Sequence, residues 1–118
     1  MTMITNHCTR PNVSGINNTK AVDIKCAQIE IGQTYVVNVG DSTGGPFRLA
    51  FGTVNTEWAG KPITTKANAV NTNLLFIRAL NDGDTVTVSG VTICTQEDWE
   101  ALRGLGLDSF DGDTMPLQ

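Results

Sequence analysis

This sequence has a single histidine, His7, only three cysteines, and a charged fraction of 17%, well under the roughly 25% of an average soluble domain. One imidazole near the start of the chain gives histidine-based general-base catalysis and histidine-rich zinc coordination little to work with. Cys8, Cys26 and Cys94 include no C-x-x-C pair, so neither a zinc ribbon nor a dithiol oxidoreductase is written here. Free thiols in a reducing compartment are expected, with one bridge between strands, such as Cys26 to Cys94, as the alternative. No apolar run approaches the ~20 residues of a membrane-spanning helix. Met1 to Asn6 has neither the basic nor the apolar segment of a secretory leader, so synthesis in the cytoplasm without a signal peptide is expected. The eight basic residues are scattered from Arg10 to Arg103 in a chain of net charge -4. That distribution lacks the clustered basic face of a nucleic-acid binder.

Thr, Asn and Gly take the place of the missing charges. Such a surface suits strands and turns, and fewer charges must be desolvated when two subunits meet. At 118 residues the chain fits one domain that buries a core without staples. Thr85-Val-Thr-Val-Ser-Gly-Val-Thr-Ile93 carries the clearest pattern. Ser89-Gly90 reads as a two-residue hairpin loop, Gly supplying the positive φ. That turn puts Val86, Val88, Val91 and Ile93 on one buried face, with Thr85, Thr87 and Thr92 on the other.

Similar alternation recurs along the chain. Val22, Ile24 and Cys26 share a face, with a phase slip near Ala27-Gln28 that suggests a bulge before Ile29 and Ile31. Gly32-Gln33 turns into Thr34–Val39, Gly40–Pro46 reads as a loop, and Phe47, Leu49 and Phe51 alternate after it. A short edge strand is expected around Ile63 to Lys66. Leu74 to Leu80 is an apolar run interrupted only by Arg78, the pattern of a central strand covered on both faces or of a subunit contact. Thr95-Gln-Glu-Asp98 caps the one helix, which buries Trp99 and Leu102 and stops at Gly104. The fold class is therefore all-β, a single-domain β-sandwich or small barrel. Residues 1–20 read as an extended N-terminal arm or a frayed tail, 21–94 as the core, and 95–118 as the short helix and acidic tail.

Few residues assemble into chemistry. Gly40-Asp-Ser-Thr-Gly-Gly-Pro46 resembles the nucleophile loop of trypsin-like serine proteases, but Thr43 interrupts it and displaces the peptide hydrogens of an oxyanion hole around Ser42. Asp108, Asp111 and Asp113 surround Gly112 without the spacing of a calcium loop; they read as a solvated turn or a cation site. With Glu97, Asp98 and Glu100 they make the C-terminal end acidic, a solvated face or a surface for a basic partner. Asp41 and Glu57 are a conceivable carboxylate pair for glycoside hydrolysis whose separation nothing fixes. Trp58, in a polar loop, is either a lid over the core or an anchor for a sugar or a partner. No cofactor, no metal and no catalytic residue are expected, and the chain does not read as an enzyme.

Gly83-Asp-Thr-Val-Thr-Val-Ser-Gly-Val-Thr-Ile93 resembles a hairpin of β-rich virion proteins of tailed bacteriophages and of some bacterial adhesins. With the chain's size and composition, the whole is similar to the phage capsid decoration, or cement, proteins. That resemblance implies a β-sandwich or barrel, often a homotrimer, that binds the major capsid protein or other virion subunits and reinforces the head. A virion location follows, without direct contact to nucleic acid or membrane. A phage tail component or a carbohydrate-binding β-module is the alternative. The residues expected to touch partners are Pro11, Val13, Ile16, Trp58, Phe110 and Met115. Deleting residues 1–20 is expected to abolish particle binding and leave the domain folded.

Overall fold

A computed structural model describes residues 2–19, 21–26, 29–52, 54–67, 74–104 and 114–117, with the backbone alone in 2–5 and 114–117. Among the described residues twelve strands and one helix are formed. They are β1 (Thr2–Thr5), β2 (Val13–Ile16), β3 (Val22–Lys25), β4 (Thr34–Asn38), β5 (Asp41–Thr43), β6 (Phe47–Phe51), β7 (Val54–Glu57), β8 (Ile63–Lys66), β9 (Leu74–Ala79), β10 (Val86–Ser89), β11 (Thr92–Thr95), α1 (Gln96–Gly104) and β12 (Thr114–Leu117). All described pairings are antiparallel. They give a four-stranded sheet β3-β9-β6-β7, three-stranded sheets β2-β10-β5 and β11-β4-β8, and a ribbon of β1 with β12. Among the described residues these pairings form open sheets packed on one core. The expected all-β single domain with one short C-terminal helix is the fold observed.

The inner faces of the three larger sheets share one hydrophobic cluster. Ile24, Leu49, Phe51, Leu75 and Ile77 come from the four-stranded sheet, Val13, Ile16, Val86 and Val88 from β2 and β10, and Tyr35, Val37 and Ile93 from β4 and β11. Alternation does the sorting on β6, where Phe47, Leu49 and Phe51 are buried and Arg48 is exposed. Tyr35 sits at the centre of an aromatic series, edge-on to His7 at 5.4 Å and to Phe51 at 6.4 Å. Its hydroxyl accepts from the Glu30 N–H at 2.8 Å.

The segment Thr85–Ile93 differs from expectation in an instructive way. Val86, Val88, Val91 and Ile93 are all buried, but β10 and β11 do not pair with each other. β10 pairs with β2 and β5, and β11 with β4. Ser89-Gly90 is therefore an arch that carries the chain from one sheet to another, with Gly90 at φ 63°. Non-local hydrogen bonds hold the arch: the Gly90 N–H donates to Asn12 Oδ1, the Gly40 N–H to Gly90 O, and the Val91 N–H to Pro11 O. Thr92, expected on the outer face, is fully buried; its hydroxyl donates to Gly90 O at 3.4 Å.

The N-terminal segment is a second correction. Residues 6–19 are no arm but part of the domain. β2 pairs with β10, and Val13 and Ile16 are core residues, 4% and 0% exposed. Asn6 is buried between the chain's own strands: its Nδ2 donates to Val91 O at 3.0 Å, and its Oδ1 accepts from the N–H groups of Ile93 (2.9 Å) and Cys8 (3.1 Å). The His7 N–H donates to Ile93 O at 2.7 Å. One amide thus makes the bonds that a strand would otherwise make to the edge of β11, and leaves no buried polar group unmatched there. Val13 and Ile16 cannot reach a partner from inside this core, and Pro11 is half-buried with its carbonyl bound to Val91.

Gly40–Pro46 contains β5 rather than a loop alone, with Ser42 opposite Val88. Gly44 closes the turn after it at φ 97°, and a β-carbon there would run into the carbonyl oxygen of Thr85. α1 begins as expected, the Asp98 N–H donating to Thr95 Oγ1 at 3.1 Å. Leu102 is fully buried, Trp99 half-buried, and the Arg103 guanidinium lies 6.0 Å from the Trp99 ring centre. The bulge expected at Ala27-Gln28 lies outside the described residues. No helix among the described residues is long and apolar enough to cross a membrane.

Candidate interaction surface

The residues singled out for chemistry are not brought together. Ser42 lies on β5, where its N–H donates to Asp41 Oδ1, while His7 is buried against Tyr35. Asp41 and Glu57 belong to different sheets. Among the described residues no three His, Cys, Asp or Glu side chains gather closely enough to hold a metal ion. Asp108, Asp111, Asp113 and Phe110 lie outside the described residues. Met115 is in β12, its backbone paired with Ile4 of the same chain. Trp58 is half-buried, stacked on Phe47 at 6.3 Å with rings 16° apart, and its N–H donates to Phe47 O. It is a lid on the core, with one ring face spent on that contact.

All three cysteines are free thiols. Burial pushes Cys8 up to about 11, against lowering by a backbone hydrogen bond and the charge of Arg10. Burial pushes Cys26 up to about 12, reinforced by the neighbouring Cys8. Burial also takes Cys94 to about 12, with the Asp98 charge adding to it. Cys94 is opposite Val36 on β4, whereas Cys26 is opposite Cys8, so the Cys26–Cys94 pairing is not formed.

The surface with a distinct chemistry is the outer face of the four-stranded sheet. β9 is one of its two inner strands, paired with β3 and β6; Leu75, Ile77 and Ala79 face the core, and the same alternation turns Leu74, Phe76 and Arg78 outward. Register fixes what stands beside them. Arg78 is opposite Arg48, which is opposite Glu57 across β6 and β7. One row away, Asp23, Phe76, Ala50 and Asn55 lie side by side. Arg48 leans on Asn55, its Nη1 donating to Asn55 Oδ1 at 3.3 Å and to Asn55 O at 3.4 Å. Arg78 is exposed and Phe76 half-exposed. Between these side chains runs a shallow groove of about 290 Å³ with an apolar floor at Ala50 and Phe76 and arginines on its rim.

Register sets Arg48 and Arg78 on adjacent strands, while the Arg48 guanidinium turns toward Asn55 on β7. A guanidinium group binds carboxylate through paired N–H donors. Phe76 supplies apolar area beside these arginines. The side chains that line the groove can pair with an acidic group and pack against an apolar one. Alternation on β6 places Arg48 outward, but nothing in the sequence pairs it with Arg78, thirty residues on. No protein-family model, curated protein or solved structure matches this chain.

Proposed function

We propose that this chain is an assembly module of a tailed-phage virion, a capsid decoration protein that forms a homo-oligomer, a trimer, and binds the major capsid protein or another virion subunit. The reading is supported by the outer face of β9. Leu74–Leu80 reads in sequence as a strand covered twice or as a subunit contact, and Phe76 stands half-exposed on a face that presents arginines and an apolar floor. A groove of this kind fits a protein surface carrying a carboxylate beside an aliphatic or aromatic group. The low charged fraction of 17% and the resemblance of Gly83–Ile93 to virion β-proteins point the same way.

Light scattering and co-sedimentation with phage heads stripped of accessory proteins test it. The wild-type chain is expected to be oligomeric and to pellet with heads. Arg48→Glu combined with Arg78→Glu should keep the wild-type circular dichroism spectrum, because both side chains lie outside the core, and lose the association. A wild-type protein that stays monomeric and remains in the supernatant would overturn the proposal.

A further inference from the structure

We propose that Cys8 and Cys26 form a thiol–disulfide exchange site, a part-exposed entry thiol backed by a buried resolving thiol, which closes a cross-strand disulfide on meeting a low-molecular-weight disulfide. The two residues face each other in an antiparallel bridge outside the named strands. The Thr9 N–H donates to Lys25 O at 3.3 Å, and the Thr9 hydroxyl donates to the same oxygen at 2.7 Å. This backbone hydrogen bond joins the residue after Cys8 to the residue before Cys26, so the cysteines themselves occupy a non-hydrogen-bonded pair. Opposed α-carbons at such a position stand about 4.5 Å apart with their side chains close. A disulfide accepts α-carbon separations of about 4.4–6.8 Å. The backbone is therefore already at bridging distance.

Access to the pair is asymmetric. Cys8 is 1% exposed, whereas Cys26 is part-exposed beside the core. Cys26 is thus the sulfur that a small disulfide R–S–S–R reaches. Its thiolate attacks one sulfur of the reagent, forming a mixed disulfide and releasing one thiol, RSH, after protonation. The Cys8 thiolate then attacks the Cys26 sulfur, forming the protein disulfide and releasing the second RSH. Two protein thiols and one R–S–S–R become one protein disulfide and two RSH, and two electrons pass from the protein to the small disulfide. Burial keeps both thiols protonated at neutral pH, so closure is slow there and quickens with alkali. Cys94 takes no part, being buried on β11 opposite Val36. The bond would tie Cys8 to the end of β3, two residues from the Asn6 amide that holds Val91 and Ile93.

The test is incubation of the folded full chain with oxidised glutathione, followed by non-reducing peptide mapping. The expected product lacks two hydrogen atoms, carries a Cys8–Cys26 link and leaves Cys94 as a thiol. Its rate of formation should rise roughly tenfold per unit of pH between about pH 7 and about pH 9, and its Tm should exceed that of the reduced protein by about 10 °C. Cys26→Ser should form no link and leave Cys8 unmodified; if that variant does not fold, the wild-type map alone decides. A glutathione adduct that persists on Cys26 while Cys8 stays a thiol, or a link involving Cys94, would overturn the proposal.

Discussion

Replacing Asn6 with alanine should cost this domain a large part of its stability, although the residue lies in none of the named strands. Its side chain makes three hydrogen bonds, to Val91 O, Ile93 N and Cys8 N, and Asn6 is only 5% exposed. Truncation leaves one acceptor and two donors without partners in a buried site, each at about 1–3 kcal/mol. Partial entry of water into the vacated space lowers the sum to about 3–5 kcal/mol. A domain of this size has about 5–15 kcal/mol in total, so Asn6→Ala should be close to the limit of folding. Urea denaturation followed by tryptophan fluorescence measures the loss, with an unchanged slope showing that the two end states are the same. Asn6→Asp retains the acceptor for the two N–H groups but loses the donor to Val91 and buries a charge, so it should also destabilise. Thr19→Ala is the control. Its hydroxyl bonds Asn17 Oδ1 at 2.7 Å in the open, and its removal should change stability by less than about 0.5 kcal/mol. An Asn6→Ala loss below about 1 kcal/mol would refute the view that this amide stands in for a missing strand.

Other consequences follow from the same structure. Gly44→Ala should destabilise the protein by about 2–4 kcal/mol in thermal or urea unfolding, since φ 97° is unfavourable for alanine and its β-carbon meets the Thr85 carbonyl; a stable variant would contradict the β5 turn as described. Deleting residues 1–20 should unfold the domain rather than merely free it from partners, because β2, Val13, Ile16 and Asn6 go with it; a native circular dichroism spectrum would show otherwise. Alkaline pH should destabilise the reduced protein. The cysteines titrate at about 11 and about 12 when folded against 9.0 for an unperturbed thiol, so the native state holds protons that the unfolded chain releases. Their contribution is intact below pH 9 and is lost as pH rises through the folded values. Chemical unfolding at pH 8 and at pH 10 under reducing conditions should give the lower midpoint at pH 10.

Local patterns were legible where neighbours in sequence are also neighbours in space. Thr95 caps α1, Phe47, Leu49 and Phe51 face inward, and the edge strand falls at Ile63–Lys66. The four aliphatics around Ser89-Gly90 were legible as core but not as an arch. Glycine at positive φ serves a hairpin and an arch alike, and the choice was made by β2, β5 and β4, which lie far away in sequence. β2 hid for a different reason. Val86 is opposite Ile16 and Val88 opposite Val13, two steps on β10 against three on β2, with Gly15 at φ 74° between. That bulge breaks the period of two by which a strand is recognised. Of the candidate surface, alternation on β6 turns Arg48 outward, whereas Leu74–Leu80 reads as a strand covered on both faces or a subunit contact, and only the register of β6 on β9 puts Arg48 beside Arg78.

The bonds from Asn6 and His7 to Val91 and Ile93 also order events in time. The partners of these residues are made more than eighty residues after them. Until then the edge of the nascent chain has nothing to close on, and β2 waits equally long for β10. The contacts of Asn6, His7 and β2 are therefore completed only after β10 and β11 have been made, and in a ribosome-stalled fragment ending before residue 86 the segment 6–19 should remain protease-sensitive.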